Sequence, residues 1–179
     1  MNYATIKTFD ISNGAGVRVS LFVSGCTRHC KECFNEEAWD FNYGKKFTYE
    51  TMDYILNLLQ STFIDGLSVL GGEPFEPDNV KTVYEIIKKV KEVYPKKDIW
   101  VWSGYTFEYL KEVYAYLFEY IDVLVDGPFI VEEKDITLRF RGSSNQRIID
   151  IRKSIDNEKV ILWTDGPIFS THKTYGDRE

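Results

Sequence analysis

The chain has three cysteines, all within Gly25-Cys26-Thr27-Arg28-His29-Cys30-Lys31-Glu32-Cys33. Thiolates are the usual ligands of iron–sulfur clusters, and a cubane cluster has four irons. Three cysteines therefore bind three corners and leave the fourth iron open to a ligand that is not protein. The bland alternative is tetrahedral zinc completed by His29 or His172, since three cysteines and a histidine are a common zinc set. His29 lies between two of the cysteines, an awkward place for a fourth ligand.

A second stretch, Gly71-Gly72-Glu73-Pro74, ends an apolar run. A ligand amino group needs acceptors, and strand-end carbonyls with a carboxylate supply them. The glycines let that backbone come close. Ser103 and Asp126 place a hydroxyl and a carboxylate at the ends of two further apolar runs. Each has a plainer reading: Gly71-Gly72 as a turn, Ser103 as a turn residue, and Asp126 as a turn cap before Pro128.

The elements that must position these residues alternate. Val17 to Ser24 reads as a strand that runs into the cysteine loop, after turn chemistry from Asp10 to Gly16. Thr48 caps a helix whose apolar residues are Met52, Ile55, Leu58, Leu59 and Phe63. Leu67 to Leu70 is a strand. Asp78 caps a helix with the stripe Val80, Val83, Ile86, Ile87, Val90 and Val93, stopped by Pro95. Ile99 to Trp102 is a strand, Thr106 caps a helix carrying Leu110, Val113 and Leu117, and Ile121 to Val125 is a strand. Short strands at Ile148 to Ile151 and Val160 to Thr164 complete the reading. Such alternation predicts an α/β fold with a mostly parallel sheet and flanking helices. All four special sequences then share one rim, where α/β sheets collect their sites.

At 179 residues the chain is read as one domain, residues 1–169, with a poorly ordered tail at 170–179. A complete eight-unit barrel usually needs about 250 residues, so four recognisable strands make an incomplete barrel or an open sheet. A net charge of −6 argues against nucleic acid, whose binding leans on phosphate neutralisation. No apolar run approaches the roughly 20 residues that span a bilayer. The start lacks the basic-then-apolar pattern of a secretion signal, and clustered thiols fit a reducing cytoplasm. The basic run Lys88-Lys89-Val90-Lys91 with Lys96-Lys97 reads as a solvated helix face, or as a dock for an acidic electron donor.

The cysteine spacing C-x3-C-x2-C, followed by Gly-Gly-Glu at the next strand end, resembles the radical S-adenosylmethionine (SAM) superfamily. Asn13-Gly14-Ala15-Gly16-Val17-Arg18 resembles the N-G-P-G-x-R segment of glycyl-radical-enzyme activases, with Ala15 in place of proline. Cys33-Phe34-Asn35 and then Trp39 is similar to the run after their third cysteine. Trp102 to Glu108, Val125 to Phe129 and Arg141-Gly142-Ser143-Ser144-Asn145-Gln146-Arg147 resemble the small activases of anaerobic (class III) ribonucleotide reductase. The likeness covers residues 3 to 150.

This resemblance implies an incomplete (βα) barrel of radical SAM type. It further implies a [4Fe-4S] cluster on Cys26, Cys30 and Cys33, with SAM on the fourth iron. SAM would meet Gly71, Gly72, Glu73, Ser103 and Asp126, with Phe34 and Asn35 beside it; Glu32 stands where many members have an aromatic for adenine. A one-electron donor such as flavodoxin would drive reductive cleavage of SAM. The resulting 5′-deoxyadenosyl radical would take a hydrogen from a glycine of the reductase large subunit. Alternatives are a radical SAM enzyme acting on a small molecule or another glycyl radical enzyme, and a non-enzymatic electron-transfer or zinc protein.

Overall fold

In the computed structural model residues 1–165 are described, so the expected tail and His172 lie outside the described residues. The chain opens with β1 (Asn2–Asp10), β2 (Arg18–Val23) and the two-residue β3 (Lys45–Lys46). Helix α1 (Tyr49–Leu59) leads to β4 (Gly66–Gly71), α2 (Pro77–Val93) to β5 (Asp98–Trp102), and α3 (Phe107–Tyr114) to β6 (Val123–Asp126). A long excursion then returns as β7 (Arg147–Asp150) and the short α4 (Ile151–Asp156).

Local chemistry sets the helix starts. Thr48 Oγ1 accepts the Thr51 N–H while the Thr51 hydroxyl accepts the Thr48 N–H, so two orphan donors of α1 are satisfied reciprocally. Thr106 likewise caps α3. For α2 the expected cap, Asp78, lies inside the first turn instead. Pro77 occupies that turn and Glu76 the cap position, because proline's fixed φ suits a helix start. Val80, Val83, Ile86, Ile87 and Val90 are buried as the stripe requires, whereas Val93 at its end is half-exposed. Phe63 falls beyond α1 and is exposed.

Among the described residues, seven strands form one sheet in the order β3-β1-β2-β4-β5-β6-β7. The central β2, β4, β5 and β6 are parallel, while β1, β3 and β7 join antiparallel at the two sides. Three of these side strands depart from expectation. β1 and β3 were not foreseen, and Ile151 begins α4 rather than ending a strand, with the Asp150 carboxylate accepting the Lys153 N–H. Val160 to Thr164 contributes only an isolated bridge, Ile149 to Leu162.

The two faces of the sheet differ in chemistry. Val19, Leu21 and Val23 align with Leu67 and Val69, then Ile99 and Val101, then Leu124. All are buried against α1, α2 and α3 in the main core. The alternate residues, Arg18, Ser20, Ser68, Trp100, Val123 and Val125, face the other way. There Trp100, Val123, Val125 and Ile148 form a smaller cluster with Trp102, Phe140 and Trp163. Coverage on both faces is what a parallel sheet needs. No helix among the described residues is long and apolar enough to cross a membrane.

Arg18 anchors the second face and explains the glycines before it. Its side chain is fully buried. Nε donates to Ser68 Oγ (2.6 Å), and the two terminal nitrogens donate to the carbonyls of Ala15 (3.0 Å), Leu67 (3.0 Å) and Asp98 (3.3 Å). An ion pair to Asp98 (2.7 Å) completes the set, and the guanidinium lies 5.4 Å from the Trp100 ring. A Cβ on Gly14 would sit 2.8 Å from Arg18 Cδ. Gly16, at φ +75°, would drive one into the Asp65 carboxylate that holds the Val17 N–H. The Asn13–Arg18 segment is thus a lock at the start of β2. Replacing Arg18 by Met keeps the apolar stem but leaves these acceptors unmatched. Urea unfolding should show a loss of about 3 kcal/mol or more, the cost of breaking a buried charged network; a loss under about 1 kcal/mol would refute the lock.

Candidate functional site

The four parallel strands end level with one another: Val23 pairs with Gly71, and Trp102 with Val125. The loops that follow them converge on one cleft of about 390 Å³. Cys26, Cys30, Cys33, Phe34, Gly71, Gly72, Glu73 and Ser103 line it together. Asn35 and Asp126 do not reach it, although their neighbours Phe34 and Gly127 do.

The cysteine loop leaves β2 through Gly25 (φ +97°), with His29 and Glu32 also in the left-handed region. Cys33 N–H closes a turn on Cys30 O (3.1 Å). Cys26 is buried, and Cys30 and Cys33 are half-buried. His29 stacks on Trp39, with centroids 4.5 Å apart, and is absent from the cleft lining. Burial pushes the Cys26 thiol up to about 11, and Glu73 and Glu76 push it the same way. A thiolate there needs a cation beside it, which is what a metal centre supplies. Among the described residues, no three His, Cys, Asp or Glu side chains are already gathered at metal-binding separation. The donor set fits an iron–sulfur cluster: three free thiols open into one cleft, and among the described residues no histidine joins them there.

Gly71 (φ +111°) and Gly72 turn the chain against the cysteine loop: Gly72 N–H donates to Val23 O (2.8 Å) and Glu73 N–H to Gly25 O (2.9 Å). A Cβ on Gly72 would lie 2.5 Å from Gly25 O. The Glu73 carboxylate, 1% exposed, spans two strand ends. Its Oε1 accepts from Phe75 N–H (3.0 Å) and the Ser103 hydroxyl (2.9 Å), and its Oε2 from Gly104 N–H (2.7 Å). Ser103 Oγ also accepts from Tyr105 N–H (3.0 Å). Both side chains are therefore committed to the rim. Despite the three donors, desolvation dominates and raises the Glu73 carboxyl to about 7.

Asp126, also 1% exposed, ties a different pair of elements. It accepts from Phe107 N–H (2.7 Å) at the start of α3 and takes both sides of the Arg147 guanidinium, which also forks onto Glu108. Its neighbours in Arg141–Arg147 close the excursion back on β6. Gln146 Oε1 accepts from Gly142 N–H (2.8 Å) and its Nε2 donates to Gly127 O (3.1 Å), while Asn145 Nδ2 donates to Pro128 O (2.8 Å). Phe129, Phe140, Arg141, Gly142 and Gln146 thereby form a wall of the cleft. Exposed ion pairs, Lys31–Glu132 (3.8 Å) and Glu32–Lys134 (3.6 Å), join the cysteine loop to that excursion. The basic run on α2 is partly spent: Lys91 pairs with Asp122 (2.6 Å), Lys89 with Glu92 (3.6 Å), and Lys97 donates to Ser61 O (2.8 Å).

Sequence reasoning missed Glu76, Asn79, Arg28 and the excursion's aromatics. Glu76 is foreshadowed only by its place before Pro77 at a helix start. Arg28 lines the cleft with its guanidinium 4.8 Å from the Tyr105 ring.

Residues 12–149 match the family model of the 4Fe-4S single cluster domain, which makes this an iron–sulfur protein by class. A Vibrio cholerae serotype O1 protein is 45% identical over 150 residues, covering 83% of this chain and 97% of its own length. An Escherichia coli K12 protein is 42% identical over 154 residues, covering 85% and 100%, and an Enterobacteria phage T4 protein is 39% identical over 150 residues, covering 83% and 93%. All three are named anaerobic ribonucleoside-triphosphate reductase-activating protein. The chain belongs to the family of anaerobic ribonucleoside-triphosphate reductase-activating proteins.

The rim makes a stability prediction. Glu73→Gln should cost about 1–3 kcal/mol, because an amide NH₂ would face the Gly104 N–H. The native carboxyl titrates near 7, above the 4.5 of the unfolded chain. The native state therefore holds a proton that the unfolded chain has released. That contribution is complete below about 4.5 and lost as pH rises through 7. Urea melts at pH 5.5 and 7.5 should show the gap between wild type and variant narrowing at the higher pH; a widening gap would contradict the raised value.

Proposed function

We propose that this protein activates anaerobic ribonucleotide reductase, using SAM and a [4Fe-4S] cluster to place a glycyl radical on the reductase. The supporting observation is the convergence of three free thiols and the Gly71-Gly72 turn on one cleft at the sheet's C-terminal rim. The open seven-stranded sheet is read as the incomplete barrel of radical SAM type. When bound, the cluster and SAM would supply radical chemistry: an electron from an external donor would reductively cleave the sulfonium S–C5′ bond to methionine and a 5′-deoxyadenosyl radical able to take a glycine hydrogen.

Cys26, Cys30 and Cys33 hold the cluster in this reading and leave one iron for SAM. The Gly71-Gly72 turn gives the amino-acid end of SAM room beside the cysteine loop. Glu73, Ser103 and Asp126 act mainly by bracing that rim. Phe34 lines the cleft yet is 88% exposed, which suits an aromatic that covers adenine at the mouth. Asn35, whose carbonyl accepts the Ala38 N–H (3.0 Å), starts the turn behind it. Phe129, Phe140 and Arg141 narrow the opposite wall and limit water around the bound groups. An open rim suits a macromolecular substrate, because a peptide loop can enter where further barrel units would stand. The electron donor is proposed to be a one-electron protein such as flavodoxin, and the compartment a reducing cytoplasm.

The test is anaerobic reconstitution followed by incubation with SAM, a strong one-electron reductant and the reductase large subunit. A glycyl radical signal on the reductase is expected in electron spin resonance, together with 5′-deoxyadenosine. Cys26→Ala, Cys30→Ala and Cys33→Ala should each lose the brown iron–sulfide absorption and the nucleoside product. Absence of 5′-deoxyadenosine from iron-loaded wild type would overturn the reading. A radical formed on another glycyl radical enzyme but not on the reductase would reassign the target.

A further inference from the structure

The cysteine loop is gripped firmly at one end. Gly25 N–H donates to Ala38 O (2.8 Å) and Cys26 N–H to Trp39 O (3.1 Å). Thr27 N–H and its hydroxyl both donate to Glu76 Oε1, at 2.8 and 2.7 Å. Asn79 Nδ2 donates to the carbonyls of Ser24 (2.9 Å) and Glu73 (3.0 Å), with Gly25 O at 3.4 Å. Glu76 and Asn79 come from the start of α2 and are 3% and 1% exposed. Cys26 therefore sits between two residues that buried side chains hold.

The other end is held differently. The Cys30–Cys33 arm makes a turn within itself, and its outward ties, Lys31–Glu132 and Glu32–Lys134, are ion pairs between largely exposed side chains. Exposed pairs contribute little, because water and salt screen them. A hydrogen bond to a buried carboxylate is stronger than a neutral one, because the charge assists it. The energetic asymmetry matches the geometric one: Cys26 is buried, and its partners are not.

We infer that Glu76 and Asn79 are positioning residues that hold Cys26 as a preset ligand, onto which Cys30 and Cys33 close when the cluster binds. The inference rests on the proposed function only in taking the three cysteines as cluster ligands. Fixing one ligand in advance spares its ordering entropy when the metal arrives, leaving only the arm to be ordered. The Glu76 carboxylate also places negative charge beside the cluster, which disfavours an added electron.

The experiment compares the wild-type chain with Glu76→Gln, Glu76→Ala and Asn79→Ala. Amide exchange over residues 24–35 is followed before and after anaerobic loading with iron and sulfide, alongside iron per chain and the cluster midpoint potential. In the metal-free wild type, the 25–27 amides should exchange at least about tenfold more slowly than those at 29–33, with the difference closing on loading. Glu76→Ala and Asn79→Ala should lose that protection and retain less iron. Glu76→Gln keeps an acceptor oxygen, so it should retain iron while its potential moves positive. Equal exchange in the two arms of the metal-free wild type would overturn the inference. So would wild-type iron content and potential in all three variants. If the alanine variants fail to fold, the wild-type exchange contrast and the potential of Glu76→Gln decide. A wild-type chain that shows the contrast when metal-free, closes it on loading and yet leaves SAM intact would sink the proposed function and leave this inference standing.

Discussion

A carboxylate almost wholly withdrawn from water holds the working rim of this protein together. Glu73 receives the amides of Phe75 and Gly104 and the hydroxyl of Ser103, so the loop after β4 and the loop after β5 are joined through one side chain. Its own amide is given to Gly25, which adds the loop after β2. Three of the four parallel strand ends are therefore fixed relative to one another before any ligand is considered. Asp126 performs the same task for the fourth, binding Arg147 and the start of α3. Removing such groups from water is costly unless their lone pairs find donors, and here backbone amides supply three of them, with the Ser103 hydroxyl and the Arg147 guanidinium supplying the rest.

The two ends of the sheet are held by opposite means. At the rim, buried carboxyl groups collect amide, hydroxyl and guanidinium donors. At the far end, the buried Arg18 collects carbonyl acceptors from the turn before β2, from β4 and from β5. Between them lies a face that is apolar against the helices and mixed on the other side, where serines and an arginine share space with tryptophans. The cleft opens from that mixed side's upper edge, walled by the excursion after β6.

Much of this was legible in the amino-acid sequence because it is local. The four parallel strands announce themselves as short apolar runs ending in glycine-rich turns, and the cysteine spacing sits inside one loop. β1 was not legible: Asn2–Asp10 mixes Thr5, Lys7 and Thr8 with Tyr3 and Ile6, since it is half-exposed and needs its neighbour β2 to become a strand. β3 is two lysines that become a strand only beside β1. Ser103 and Asp126 were visible as polar residues at strand ends, but not what they bind. Their partners, Glu73 and Arg147, are 30 and 21 residues away, and strand order alone decides who meets whom. The same holds for Gln146 on Gly127 and for Thr27 on Glu76, which no periodicity encodes.

The crossed ion pairs between the cysteine arm and the excursion have a consequence beyond their small strength. Lys31 faces Glu132 while its neighbour Glu32 faces Lys134, so each side of the seam offers one charge of each sign. Exchanging the partners would set lysine against lysine and glutamate against glutamate. The arrangement works as an alignment key rather than an adhesive: it adds little to cohesion, yet it admits one pairing of arm and wall and repels the transposed one.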